Sequence, residues 1–232
     1  MLEFPIGPEL SKDQLARREA LPLKPEPCVL VGKHVRIEPL VPDRDVAKLF
    51  ELTKGDALNA GDRHIDAFDP ETWVWRYLAY GPYQKPEEMA AALQPLIDAP
   101  DMLCLVVTDL RLGLPVGSAC LMANVPAHLK IELGHIWYSP LVQRSGVNLE
   151  ATYLMLDHCF GLGYRRVEWK CDALNERSRR SALRMGFTFE GIQEQHYIIK
   201  GRNRDTAWYR ILSEEWEGVK AKLEGMMQDS IR

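Results

Sequence analysis

A six-residue segment, Gln143-Arg144-Ser145-Gly146-Val147-Asn148, has the residue types of an anion-binding turn. An apolar segment precedes it and apolar residues at helical spacing follow it, so it stands where a helix begins. The first N–H groups of a helix have no partner within the helix, and the helix dipole adds about half a positive charge there. Gly146 lets an anion approach the backbone closely, and Gln143 and Arg144 carry side-chain donors. The segment is therefore typical of a phosphate-binding helix N-terminus, with an ordinary helix cap as the alternative.

This turn and the helix that follows resemble the GNAT superfamily of acyl-CoA-dependent N-acyltransferases. That family has Gln/Arg-x-x-Gly-x-Gly/Ala at the strand-to-helix junction, and Gln143, Gly146 and, imperfectly, Asn148 stand at those positions. The family also has an Asn at the start of the next helix and a Gly-Phe at its end. Asn175 and Gly186-Phe187 occupy these places.

The resemblance covers roughly residues 33–213 and is strongest to the branch that contains the ribosomal-protein N-terminal acetyltransferases. It implies an α/β fold with a GNAT-like mixed central β-sheet flanked by helices, whose splayed central strands hold acyl-CoA. It also implies acetyl-CoA as the acetyl donor, with direct attack by a primary amine in a ternary complex. The family binds the cofactor pyrophosphate through loop amides. The residues implied in that role are Gln143, Arg144, Ser145, Gly146, Val147 and Asn148.

The resemblance also implies a catalytic base on the strand before the turn. An amine with a pKa near 10 is mostly protonated at neutral pH, so its attack requires a base. Glu132 matches the Glu-x-Gly of the branch, while His135 has an intrinsic pKa better suited to the task. A regular strand places these two residues on opposite faces, so both reach one site only across a β-bulge.

Further roles follow from the family pattern. The backbone of Ile136, Trp137 and Tyr138 is expected to pair with the cofactor and to polarise the thioester carbonyl. Asn175 is expected to bind the pantetheine amides, the alternative being a simple helix cap. Many family members have a tyrosine seven positions after this Asn, but here that position is Ala182. Ser178 is the remaining candidate for the catalytic acid and is also a candidate cofactor-binding residue, unless it only packs or caps its helix.

The acceptor amine is less defined by the sequence. An aromatic segment from Trp73 to Tyr83 precedes the predicted sheet, and Tyr80, Tyr83 and His135 are the candidate substrate-binding residues. The crowded aromatic side chains slightly favour a small-molecule amine over a peptide N-terminus. A non-catalytic acyl-CoA sensor is a third possibility, because the usual tyrosine is missing.

The elements needed to position these residues can be read from periodicity. Residues 102–108, 116–124 and 131–138 are predicted as consecutive strands of a meander, and a helix is predicted from about Gly146 to Gly161. A strand over 165–171 should then run parallel to the strand over 131–138. We divide the chain into an N-terminal arm (1–32), the GNAT-like domain (33–213) and a C-terminal helix (214–232).

Composition narrows the function classes. The chain has 232 residues, 29 Lys and Arg against 33 Asp and Glu, and therefore a net charge of −4. A mildly acidic chain predicts no nucleic-acid partner, and no apolar run approaches the roughly 18 residues of a membrane helix. The five widely spaced cysteines and six histidines form no metal-ligand pattern, so we expect no metal and a reducing compartment. With no signal-like N-terminus, these features predict a cytoplasmic protein, with a homodimer as one possible assembly.

Overall fold

The computed structural model describes residues 6–229. The strands are β1 (Leu30–Val31), β2 (Val35–Pro39), β3 (Leu58–Ala60), β4 (Arg63–Ile65), β5 (Leu103–Asp109), β6 (Leu114–Val125), β7 (Lys130–Tyr138), β8 (Arg166–Asp172), β9 (Thr188–Ile199) and β10 (Arg202–Leu212). The α-helices are α1 (Lys12–Ala20), α2 (Pro42–Glu51), α3 (Pro86–Asp98), α4 (Val147–Gly161), α5 (Glu176–Arg184) and α6 (Trp216–Asp229). A π-helical turn spans Glu71–Trp75, and 3-10 turns span Pro126–His128, Pro140–Val142 and Ser213–Glu215.

Eight strands form one mixed sheet in the order β1-β2-β5-β6-β7-β8-β10-β9, while β3 and β4 pair separately. The meander β5-β6-β7 is antiparallel, and β7 pairs with β8 in parallel. Helix α4 makes this parallel crossover, since a strand, helix and strand in sequence bring two strands side by side in the same direction. The predicted mixed sheet and its parallel pair are confirmed.

The parallel pairing between β7 and β8 is short. It runs only from Lys130 opposite Arg166 to Leu133 opposite Trp169. Beyond this point β7 continues to Tyr138 beside β6, and β8 continues to Asp172 beside β10. The two central strands therefore diverge, and the predicted splay is confirmed.

A β-bulge lies on β7 at the start of the divergence. Gly134 pairs with Cys120 and Trp137 pairs with Ser118, so two residues of β7 face one residue of β6. His135, one of these two β7 residues, has φ of +49°, in the left-handed region. This is the irregularity that the spacing of Glu132 and His135 requires if both are to reach one site.

Helices cover both faces of the sheet. One core contains α2 and α3 packed on alternate residues of β5, such as Cys104 and Val106. The other core contains α4, α5 and α6 packed on the opposite face, which carries Val167 and Tyr209. The two sets of residues alternate along the strands, as side chains on the two faces of a sheet must.

Several boundaries differ from the sequence prediction. The hairpin begins at Thr188, whereas the sequence predicted a start near 194. The earlier start was not predicted because β9 is largely exposed and lacks an apolar alternation. The predicted arm also contributes to the sheet through β1, and Glu150 of α4 accepts hydrogen bonds from the backbone N–H groups of Lys33 and His34 beside it. Residues 1–5 of the predicted arm and 230–232 of the predicted C-terminal helix lie outside the described residues.

Candidate active site

The turn after β7 has the backbone geometry of an anion-binding loop. Arg144 has φ of +63° and Gly146 has φ of +87°. The backbone N–H groups of Arg144, Gly146, Asn148 and Leu149 donate no hydrogen bond to any residue between 6 and 229. A Cβ placed on Gly146 would meet no atom within 4 Å, so the space beside this glycine is open. Four free donors beside open space form a concave site suited to a phosphate group.

The side chains of this turn mostly fasten it to its surroundings. Gln143 donates from Nε2 to the carbonyl oxygens of Trp73 (3.2 Å) and Tyr138 (3.3 Å), and Ser145 donates from Oγ to Val142 (2.5 Å). Asn148 donates from Nδ2 to Ser181 Oγ on α5 at 3.2 Å. Gln143 and Asn148 therefore position the turn, and the backbone supplies its N–H groups without a partner.

Glu132 lies on β7 one residue before the pairing with β8 ends. Its side chain is buried, and its Oε2 lies 2.8 Å from Nζ of Lys170, as an ion pair without hydrogen-bond alignment. Burial raises the pKa of Glu132 above its ordinary value, while the Lys170 ammonium opposes that rise. A raised pKa brings the carboxylate nearer to the pH at which a general base works best.

His135 occupies the bulge and contacts Tyr80 from the aromatic segment. Tyr80 Oη lies 3.1 Å from His135 Nδ1, and the two rings stack with centroids 5.5 Å apart. Burial, together with the positive charges of Arg204 and Lys170, lowers the pKa of His135 to about 4. The imidazole is therefore neutral at pH 7 and a weak base. The same Lys170 influences Glu132 and His135, so the structure brings both candidates to one region.

An aromatic cluster borders this region. The ring of Trp75 lies 5.2 Å from that of Tyr83, 6.0 Å from that of Tyr80 and 5.0 Å from that of Trp137. Tyr83 Oη and Trp137 Nε1 are buried and form no hydrogen bond within the described part of the chain. Unpaired buried polar groups are rare in folded proteins and mark places where a ligand can bind.

The start of α5 approaches the other side of the divergence. Asn175 Oδ1 accepts a hydrogen bond from the backbone N–H of Ser178 (3.1 Å), which makes Asn175 the helix N-cap. Ser178 Oγ accepts a hydrogen bond from Trp169 Nε1 at 3.0 Å, and Trp169 is the last β8 residue paired with β7. Ala182 is fully buried. Because alanine has no hydroxyl, it does not replace the tyrosine that is usual at that position.

The segment Glu71–Tyr77 connects the parts of the site, although its sequence predicts only aromatic content. Lys200, in the β9–β10 turn, donates to the carbonyl oxygen of Trp75 (2.9 Å), and Arg177 of α5 donates to that of Thr72 (2.9 Å). Tyr77 donates to the carbonyl oxygen of Leu174 at 3.2 Å. With the Gln143 bond to Trp73, this segment contacts the turn, the start of α5 and the hairpin. These contacts join residues about 70 to 130 positions apart along the chain, so no local pattern signals them.

Sequence reasoning also missed two cations, Lys170 and Arg204. Lys170 lies over the ring of Trp208 at 4.7 Å, and Arg204 lies over the ring of Tyr197 at 5.6 Å. Lys170 follows Trp169 in the chain and lies on the same sheet face as Glu132, so the register of β7 with β8 would have revealed it. Register is a tertiary property that one sequence does not contain.

Comparison with known proteins defines the class. Residues 35–188 match the family model for the acetyltransferase (GNAT) domain, and the chain belongs to this family. A curated relative is YdaF of Bacillus subtilis (strain 168), provisionally named a ribosomal N-acetyltransferase. It is 29% identical over 109 residues, which are 45% of this chain and 59% of YdaF. The match thus spans about three-fifths of that relative's length.

Solved structures agree with the fold. A GCN5-related N-acetyltransferase from Brucella melitensis is 36% identical, with 88% of this chain and 87% of that chain covered and a TM-score of 0.79. A protein from Chromobacterium violaceum ATCC 12472, provisionally assigned to the GNAT acetyltransferases, is 31% identical. The match covers 94% and 99% of the two chains, with a TM-score of 0.77. Within residues 6–229 no helix is both long and apolar enough to cross a membrane.

Proposed function

We propose that this protein is an acetyl-CoA-dependent N-acetyltransferase that transfers the acetyl group directly to a primary amine. The observation that carries the proposal is the opening where β7 leaves β8. Glu132 lies buried where the pairing ends, and the free backbone donors of residues 144–149 follow the end of β7. An anion site and a buried base on the same strand and its following turn are what this reaction needs.

Acetyl-CoA supplies the activated acetyl thioester. Its pyrophosphate fits the free N–H groups of Arg144, Gly146, Asn148 and Leu149, since backbone donors at a helix N-terminus bind phosphate. The backbone of Ile136, Trp137 and Tyr138 lies on β7 beyond its last pairing with β8, where a pantetheine chain can pair with it. Asn175 uses Oδ1 as a cap, which leaves its amide nitrogen for the same chain.

Glu132 acts as the general base in this proposal. It takes a proton from the amine nitrogen as that nitrogen bonds to the acetyl carbon and the carbon–sulfur bond breaks. His135 is less suitable because its pKa of about 4 makes it a weak base near pH 7. Its contact with Tyr80 instead suits it to binding the acceptor, together with Tyr83.

Ser178 is the proposed hydrogen-bond donor to the leaving sulfur, which departs as a thiolate while the proton from the amine stays on Glu132. Trp169 donates to Ser178 Oγ, which orients the oxygen and leaves the hydroxyl hydrogen available to the sulfur. Direct transfer without an acyl-enzyme agrees with the state of Cys171, the cysteine beside Ser178. Burial raises the pKa of Cys171 and therefore disfavours its thiolate.

The acceptor is proposed to be the amine of a small molecule. The 71–77 segment is fastened to three neighbouring elements, and aromatic side chains line the region around His135. This arrangement favours a compact acceptor over an extended peptide. A protein N-terminal α-amine is the second candidate, because the YdaF relative is named as a ribosomal N-acetyltransferase.

The first test is the Glu132→Gln variant with isotopically labelled acetyl-CoA. Purified protein is incubated with pooled amines, amino acids, polyamines and short peptides, and products are read by mass spectrometry. General-base loss should lower kcat by roughly 10²- to 10⁴-fold while calorimetry gives an unchanged acetyl-CoA Kd. Equal turnover by the variant removes Glu132 from the role. Tight acetyl-CoA binding without any labelled product from the unaltered protein favours the acyl-CoA sensor instead.

A further inference from the structure

We propose that the acceptor amine also carries an anionic group, a carboxylate, and that Arg204 of β10 binds it. This inference rests on the acetyltransferase function proposed above and narrows its substrate class to amino acids and similar amino-carboxylates. It arises from an arginine that the fold holds in place but does not pair.

Arg204 differs from the other partly buried arginines of the sheet. Arg166 pairs with Glu168 and Glu190, and Arg210 pairs with Glu215. The side chain of Arg204 forms no ion pair or hydrogen bond with any residue the structure describes, and its Nε is buried without a partner. The ring of Tyr197 supports the guanidinium at 5.6 Å. A guanidinium positioned by stacking, with free donors, is suited to a carboxylate that comes from outside the chain.

Arg204 lies close to the reacting region. Trp208 of β10 pairs with Lys170 of β8, and Arg204 precedes Trp208 by four residues, so its side chain lies on the same face of the sheet as Lys170. Burial, together with the positive charges of Arg204 and Lys170, lowers the pKa of His135 on β7 and of His196 on β9. His196 is held by a 2.9 Å hydrogen bond between Nδ1 and Thr206 Oγ1. Because Lys170 also forms the ion pair with Glu132, the base, both histidines and Arg204 belong to one electrostatic environment.

The remaining charges around this environment are already compensated. Lys170 pairs with Glu132, Lys200 pairs with Glu71, and Glu168 is shared by two cations. Asp205 accepts hydrogen bonds from the backbone N–H of Gln195 (2.7 Å) and from Asn203 Nδ2 (2.9 Å). Of the cations named here, Arg204 is the one without an ion pair among residues 6–229.

A cation without an ion-pair partner selects among amine acceptors. A polyamine brings more positive charge and is repelled, whereas an amino-carboxylate supplies the missing anion. Its amine can approach Glu132 while its carboxylate accepts paired hydrogen bonds from Arg204. His135 and His196 are neutral beside these cations, so they add no further positive charge to the region.

The test compares Arg204→Gln with Arg202→Gln. Both variants remove one positive charge from β10, but Arg202 is exposed at the start of the strand. Initial rates are measured for phenylalanine, phenylalaninamide, phenethylamine and spermidine. For the unaltered protein, kcat/KM for phenylalanine should exceed that for phenylalaninamide and phenethylamine by roughly ten- to hundredfold. This is the range for a charge-assisted bidentate contact. Arg204→Gln should remove that preference through KM and leave phenethylamine unchanged, while Arg202→Gln changes neither.

A second readout separates this inference from the acetyltransferase proposal. Calorimetry measures binding of N-acetylphenylalanine and N-acetylphenethylamine to the unaltered protein and to both variants. Arg204-dependent binding of the carboxylate compound without any turnover retains the anion site and removes the enzymatic function. Three results would overturn the inference. The best acceptor could lack an anionic group, or Arg204→Gln could lower the rates of all acceptors equally. Binding of the carboxylate compound could also be absent, or could be the same with and without Arg204.

Discussion

The two sides of the opening between β7 and β8 are built from different parts of the chain. On the proposed donor side, the turn of residues 143–149 offers backbone N–H groups from one continuous segment. The proposed acceptor side is formed by side chains from separate elements, namely Glu132, Lys170, His135, Tyr80 and Arg204. A backbone site tolerates most side-chain changes, whereas a side-chain site depends on burial and on neighbouring charges. We therefore expect substitutions to separate donor binding from turnover.

The largest effect on donor binding is expected at Gly146. Its φ of +87° is costly for a residue with a side chain, by about 1–2 kcal/mol, and a branched side chain would fill the open space beside the amides. Gly146→Val should raise the acetyl-CoA Kd roughly ten- to hundredfold in calorimetry. Gly113→Val is the control, because Gly113 also has positive φ (+65°) and open surroundings but lies in the β5–β6 turn. Equal losses in both variants would assign the effect to general instability.

Ser178 is the next most sensitive position and should affect turnover alone. Ser178→Ala removes the hydroxyl that Trp169 orients, and kcat should fall roughly tenfold. The decrease is smaller than for Glu132 because a thiolate is itself a good leaving group. Rates at saturating substrates are compared with those of Ser181→Ala, which lies one turn further along α5 and contacts Asn148. A normal kcat in Ser178→Ala would contradict the role of Ser178 as hydrogen-bond donor to the leaving sulfur.

Lys170 should change the pH dependence of the acceptor side. The base is active as a carboxylate, so kcat/KM falls as pH decreases through the pKa of Glu132. Lys170 lowers that pKa, and Lys170→Met should therefore raise it and move the acidic limb to higher pH. Lys130→Met should shift the limb less, because Lys130 is the weaker influence on Glu132 and is paired with Glu168.

The pH profile also tests His135. Its lowered pKa of about 4 predicts that no limb near pH 6.5 comes from this residue. An acidic limb that is lost in His135→Asn but kept in Glu132→Gln would assign the base to His135.

The smallest effect is expected at Asn148, although it lies in the donor turn. Its side chain joins α4 to Ser181 of α5 through a 3.2 Å hydrogen bond. Asn148→Ala should cost about 1 kcal/mol of unfolding free energy and leave the acetyl-CoA Kd almost unchanged. Thermal unfolding and calorimetry on the same sample measure both quantities. A strong loss of acetyl-CoA binding would place the Asn148 side chain in the site after all.

Local sequence was sufficient to predict the proposed donor side of the opening between β7 and β8. The strand, Gly146 and helix periodicity predicted the turn, and the boundaries of α4 and β7 agree with the prediction within one or two residues. The parallel β7–β8 pair followed from the same pattern. These features depend on hydrogen-bonding geometry over a few neighbouring residues, which residue type and spacing control directly.

The acceptor side was decided by tertiary structure. Glu132 and His135 were identified from the sequence, but their pKa values depend on burial and on Lys170 and Arg204, which strand register brings near. The contacts of the 71–77 segment join residues far apart in the chain. Charge, burial and register are properties of the packed sheet, so sequence alone determined the class of site and the fold determined which of its groups can act.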